Sequence, residues 1–250
     1  MRTLAFASRN TKEIMRDLMT LLFGLGFPLV LMTLLSAINA SIPKEAAEAT
    51  TLFKIQNLAP GISVFGLSFI ALFSAMLISK DRTTSFVLRL FTSPLRASEF
   101  ILGYTLPLLP MSIAQTLICY AAALIFGLEF NANILLAVVV NLPIAIVFIS
   151  VGFIAGALLN EKAVGGVCGA LLTNLSAWFS NIWFDTALVG GWFESLANAL
   201  PFAHAVNAAR YAISGSFSEI MPELLPVIVY AVALLAAAIA VFSVKINSKH

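Results

Sequence analysis

No Asp, Glu, Lys, Arg or His interrupts any of six long apolar runs in this chain, and that absence sets the first limit on its function. A proton-coupled carrier needs a titratable group at membrane depth, where protonation can be tied to movement. With none inside the runs, uphill transport by this chain is expected to draw its energy from outside the membrane. Charge is scarce throughout: 10% of residues are charged and 60% are hydrophobic, against about 25% charged in soluble domains. The net charge of +2 is small and not pooled in a tail, which argues against nucleic acid as a partner. The two cysteines, Cys119 and Cys168, both fall inside apolar runs, so they read as small packing residues and not as a disulfide framework. Histidine is almost absent, and His250 is the terminal residue. Without H-E-x-x-H, G-x-S-x-G or Cys/His metal spacing, neither a catalytic centre nor a metal site is expected. Nor is there a G-x-x-x-x-G-K-[ST], so nothing in the sequence is built to cradle nucleotide phosphates.

What is present is length in apolar form. The runs lie at Leu18–Ala40, Leu58–Ser79, Phe100–Leu128, Asn131–Leu159, Ala163–Phe184 and Leu224–Val244. Each reaches the roughly 20 residues that a helix needs to cross a hydrocarbon core about 30 Å thick. Backbone amides in lipid must be satisfied within the segment, so the expected fold is an all-α integral membrane protein of six transmembrane helices in one domain. Arg2, Arg9, Lys12, Arg16, Lys80, Arg82, Arg89, Arg96, Lys162, Lys245 and Lys249 fall on one side of these spans. Only Lys44, Lys54 and Arg210 fall on the other. The richer side is expected to be cytoplasmic, which puts both termini inside. The first run is too long for a signal-peptide core and is expected to stay as an anchor.

Residues 1–17 form an amphipathic arm, with Arg2, Arg9 and Arg16 seven apart on one helical face and Leu4, Phe6, Ile14 and Met15 supplying apolar area. Asn10 followed by Glu13 predicts a cap, and hence an elbow between two helices. The arm reads either as an interfacial helix shaping a lateral opening or as a plain topology signal. Pro28 predicts a kink in the first span. Gly152/Gly156 and Gly165/Gly169, each pair four residues apart, predict close helix packing inside one bundle.

Two segments depart from the pattern of spans. Residues 80–100, KDRTTSFVLRLFTSPLRASEF, predict a short helix over 84–92 that Pro94 ends. Residues 185–222 are too apolar for a solvated loop, and Trp192, Phe193, Leu196, Leu200, Phe202 and Tyr211 predict two short helices dipping into the outer leaflet. Arg210 in that segment needs a partner or a route to the headgroups; Glu194, Glu219 and lipid phosphate are the candidates. In the fifth run Thr173, Ser176 and Ser180 form a stripe with Asn174 and Asn181 beside it. The stripe fits either a weakly polar substrate path or hydrogen bonding between helices.

Taken in order along the chain, these pieces resemble the permease subunits of ABC-transporter type-2 exporters. Arg9-Asn-Thr-Lys-Glu-Ile-Met-Arg16-Asp is similar to that family's amphipathic interface helix and elbow. Lys80-Asp-Arg-Thr-Thr-Ser through Thr92-Ser-Pro-Leu95, then Glu99-Phe-Ile-Leu-Gly103, resembles its cytoplasmic coupling segment and the start of the third span. Leu200-Pro201, Arg210 and Gly215 match the family's re-entrant hairpin before the last span. Many members carry an acidic residue followed by Gly-Thr where this chain has Arg82-Thr-Thr-Ser.

The resemblance implies a transport subunit without an ATPase site of its own, in the cytoplasmic membrane of a prokaryote. ATP and Mg²⁺ would bind two separate ATP-binding cassette subunits, and a second permease subunit, identical or related, would complete the pathway. It assigns ATPase coupling to Arg82, Thr84, Phe86, Arg89, Leu90, Phe91 and Pro94, and an external gate to Pro201, Arg210 and Gly215. The expected cargo is an amphipathic, drug-like or lipid-like molecule, with lipid-linked polysaccharide as the alternative. A passive channel, a sodium-coupled carrier and an intramembrane enzyme are the competing classes; the basic amphipathic loop separates the first two from an ATP-driven permease, and the missing constellations weigh against the last.

Overall fold

A computed structural model describes residues 2–42, 51–83 and 97–247. All regular structure among them is helical. Helix α1 (Arg2–Arg16) leads through Asp17 into α2 (Leu18–Ser41). After a 3₁₀ turn at Thr51–Phe53 come α3 (Ile55–Thr83), α4 (Ala97–Ile125) and α5 (Asn133–Leu158). Helix α6 joins Glu161–Val164, Gly165–Leu172 and Thr173–Trp178. Then follow α7 (Thr186–Val189), α8 (Gly191–Ala199), α9 (Pro201–Ser214) and α10 (Phe217–Asn247).

Five of these helices are long and apolar enough to cross a membrane: Leu18–Ser41, Ile55–Thr83, Glu99–Ile125, Asn133–Leu158 and Phe217–Val244. The chain is a multi-pass membrane protein. The run Ala163–Phe184 holds helix α6, which stops at Trp178 before the run ends, and turns follow. Asn181 takes a left-handed conformation (φ 58°), which Asn tolerates better than most residues. Its Oδ1 then accepts the Thr186 amide at 2.9 Å, which fixes the reversal into α7.

The elbow after the arm differs from the expectation. Helix α1 runs unbroken past Asn10, and Asp17 is the cap, accepting from the amides of Met19 and Thr20. Beside Pro28, where a kink is expected, the helix changes in the turn before the proline. Lacking an N–H, it cannot bond the Gly24 carbonyl, and Leu22–Gly26 relaxes into a π-helical turn.

Helix α3 is the most enclosed span and the axis of the bundle, packed against α2, α4, α5, α6 and α9. Glycine sets its contact with α5. A Cβ at Gly152 would lie 2.3 Å from the Ala71 carbonyl oxygen, and one at Gly156 would lie 2.6 Å from that of Ala75. Gly165 has open space, and a Cβ at Gly169 would lie 3.3 Å from the flexible end of Leu72, so the second glycine pair does not bring two backbones together as the first does.

The segment 185–222 forms three helices rather than two, and the last span starts earlier than expected, at Phe217. Leu200 is extended before Pro201, which opens α9, and Gly215 (φ 79°) closes it in the left-handed region. The buried face of α9 is mostly alanine (Ala203, Ala205, Ala208, Ala209, Ala212), so it lies close against α3, α5 and α10.

Candidate functional site

The expected cytoplasmic end of the bundle holds a junction of three elements. Residues 80–83 continue α3 as helix rather than opening the loop, which brings Asp81 onto the inner face of the bundle at 1% exposure. Arg9 of α1 grips it with both guanidinium nitrogens, Nη1 to Oδ2 and Nη2 to Oδ1, each at 2.6 Å. Tyr104 of α4 donates its hydroxyl to Asp81 Oδ2 at 2.7 Å. Two nitrogens on two oxygens is the geometry that fixes both distance and orientation. Asp81, and secondarily Glu13, raise the pKa of the Arg9 guanidinium, outweighing its partial burial.

Around this pair the contacts continue. Arg9 Nη2 also meets Glu13 Oε2 at 2.8 Å, and Lys80 Nζ meets Glu13 Oε1 at 3.3 Å. Asn10, fully buried, receives Arg9 Nη1 on Oδ1 and donates Nδ2 to the Gly103 carbonyl at 3.1 Å. Phe6 stacks edge-on against Tyr104 with ring centroids 4.8 Å apart. This close approach needs Gly103, where a Cβ would sit 2.2 Å from Phe6 Cδ1. The arm is therefore docked on the bundle, holding the end of α3 and the start of α4.

That junction flanks the segment expected to couple to an ATPase. Thr84, Phe86, Arg89, Leu90, Phe91 and Pro94 lie outside the described residues. Arg82 is described, and its Nη1 donates to the carbonyls of Gly156 at 2.8 Å and Leu159 at 3.1 Å. It thereby caps the last turn of α5, where carbonyls lack helical partners. At the same level, a cavity of about 160 Å³ opens at the elbow, with Ile14, Phe73, Met76 and Leu77 as apolar lining and Glu13, Asp17, Lys80 and Glu161 as charged lining.

The stripe in α6 is turned inward and bonded to its own helix. Thr173 Oγ1 donates to Cys168 O at 3.0 Å, Ser176 Oγ to Thr173 O at 2.8 Å and Ser180 Oγ to Ala177 O at 3.1 Å; all three residues are buried. Asn174 is exposed and donates to Ala170 O. Ser180 and Asn181 lie beyond the helix end, so the set does not share one helical face.

Arg210 finds neither Glu194 nor Glu219. Its Nη2 donates to the Asn181 carbonyl at 2.8 Å and its Nε to the Asn57 carbonyl at 3.3 Å, tying α9 to the α6–α7 turn and to the start of α3. Burial pushes its pKa down to about 10, with the nearby Asp185 charge opposing. A second tie holds the hairpin to α10. His204 Nδ1 lies 2.5 Å from Glu223 Oε2, its Nε2 lies 2.9 Å from the Asn198 carbonyl, and Tyr230 donates to the Ala199 carbonyl at 2.8 Å.

Asp81, Tyr104 and Glu223 carry these ties without having been singled out in the sequence. Asp81 stands between Lys80 and Arg82, where it reads as loop charge. Glu223 precedes the expected start of the last span by one residue.

A bundle of helices long and apolar enough to span a membrane, with an amphipathic arm docked at one end, is the frame of an all-α membrane protein. The family model for the ABC-2 type transporter matches residues 1–214. The chain belongs to that family and is a permease of an ABC transporter, which associates with ABC ATPase subunits. A comparison with curated proteins finds no match.

Proposed function

We propose that this chain is the transmembrane half of an ATP-driven exporter that moves an amphipathic, drug-like or lipid-like molecule outward across the cytoplasmic membrane of a prokaryote. Two ATPase subunits bind ATP and Mg²⁺ and dock on the segment Arg82–Pro94, while a second permease subunit, identical or related, completes the pathway. The chain catalyses no reaction itself. Both termini and the Arg9–Asp81 junction face the cytoplasm, in keeping with the Lys/Arg asymmetry.

The observation that carries this reading is the Arg9–Asp81–Tyr104 junction. A segment that transmits force from an ATPase must be held at both ends, or its motion dissipates before reaching the spans. Here one carboxylate ties the arm to both helices that flank the segment. The cavity at the elbow, lined by both apolar and charged side chains, suits an amphipathic molecule arriving sideways from the inner leaflet.

The test is purification of the tagged chain from its native membrane with whatever ATPase accompanies it, then reconstitution in vesicles. ATP-dependent movement of a fluorescent amphipathic dye supports the reading. Dye movement that ignores ATP, in a preparation whose ATPase is active, would contradict it.

A further inference from the structure

At the opposite end of the bundle a second cavity, of about 260 Å³, lies between the start of α3, the turn joining α4 to α5, and the end of α9. Gln56, Glu129, Asn131 and Arg210 line it. Only two Arg210 nitrogens are engaged, both by backbone carbonyls, and Nη1 donates to nothing. No acidic side chain among the described residues lies within salt-bridge distance of it. The Asp185 charge is near enough to act on this half-buried guanidinium but is not paired with it, so Nη1 keeps a donor position that an anion can take. The amides beside it suit an oxyanion: Asn131 uses its Oδ1 on the Asn133 amide, which leaves Nδ2 to donate. Glu129, exposed on the turn, makes no ion pair and supplies the opposite charge in the same cavity.

We infer that this cavity binds a zwitterionic phosphodiester headgroup, with the phosphate on Arg210 and the ammonium on Glu129. A guanidinium fork matches phosphate oxygens, and a separate carboxylate matches an amine a few bonds away. An ethanolamine phospholipid of the outer leaflet has both groups in that order. Its seating would join α3, the α4–α5 turn and α9, so the site doubles as a brace for α9.

The test is native mass spectrometry of the purified permease released from nanodiscs of phosphatidylethanolamine and phosphatidylglycerol with matched acyl chains. The wild type is expected to retain phosphatidylethanolamine preferentially. Arg210→Gln is expected to lose bound phospholipid of both kinds by about tenfold, the loss of one charge-assisted contact. Glu129→Gln is expected to keep phospholipid but lose the preference for ethanolamine. Competition by glycerophosphoethanolamine, which has no acyl chains, would show that the same chemistry can be met from solution; lack of competition would assign the ligand to the bilayer. Should Arg210→Gln fail to assemble, Glu129→Gln decides alone, because its site is an exposed turn. Equal retention of the two lipids by the wild type, or an unchanged preference in Glu129→Gln, would overturn the inference.

Discussion

Arg9 and Asp81 stand 72 residues apart in sequence and meet through two parallel hydrogen bonds of 2.6 Å. The carboxylate is almost wholly enclosed while the guanidinium keeps contact with solvent. The pair thus works as a pin driven from the arm into the bundle. Breaking a buried pair from one side leaves a charge without compensation, but screening at Arg9 reduces that cost.

Asp81→Asn is therefore expected to lower stability by about 1–3 kcal/mol, because the amide keeps one acceptor for Tyr104 or Arg9 but loses the charge. Thermal unfolding in detergent measures the loss. Amide hydrogen exchange in α1 should also become faster as it lifts from α4. Unchanged exchange would mean that the apolar contacts alone dock the arm.

Those contacts have their own test at Gly103. Gly103→Ala places a methyl 2.2 Å from Phe6 Cδ1, so either the ring or the arm must move. The single variant is expected to lose stability by about 1–3 kcal/mol through overpacking, and Phe6→Leu in the same chain should recover part of it. Additive losses in the double variant would argue against direct contact.

Much of the architecture was legible because lipid leaves so few options: a long uncharged run has to be a helix, and five of the six runs are helices long enough to span. In the run Ala163–Phe184 the helix is shorter than the run, since α6 closes at Trp178. A left-handed Asn181 leaves no signature in a single sequence. The junction was legible by halves. Arg9 stood out through its seven-residue spacing, yet nothing local pairs residue 9 with residue 81, and the proximity comes only from folding. Arg210 was recognisable as a cation needing company, but its acceptors are backbone carbonyls, which every residue offers alike.

The glycines separate into two kinds. Gly152→Ala drives a methyl to 2.3 Å from a backbone oxygen that cannot rotate away, and the α3–α5 contact should open, with folded yield falling several-fold. Gly165→Ala meets open space and is expected to leave yield unchanged or to stiffen α6 slightly. Size-exclusion profiles of the two variants provide the comparison; equal profiles would contradict the packing account.

Orientation is checked by labelling. A membrane-impermeant maleimide applied to intact cells should modify a cysteine introduced at Ala46 and spare one at Ser98. The reverse pattern would place the Arg9–Asp81 junction outside and remove the basis for ATPase docking beside it.

The central claim is that an ATPase drives this permease through the segment between α3 and α4, and the most direct measurement is ATP hydrolysis linked to export in the reconstituted complex. Phe86→Asp and Phe91→Asp should each cut export at least tenfold and weaken co-purification of the ATPase, since an aromatic anchor at an interface contributes about 2 kcal/mol or more and a carboxylate in its place adds a desolvation cost. The permease itself should remain folded. Wild-type export and wild-type ATPase recovery in both variants would contradict the account.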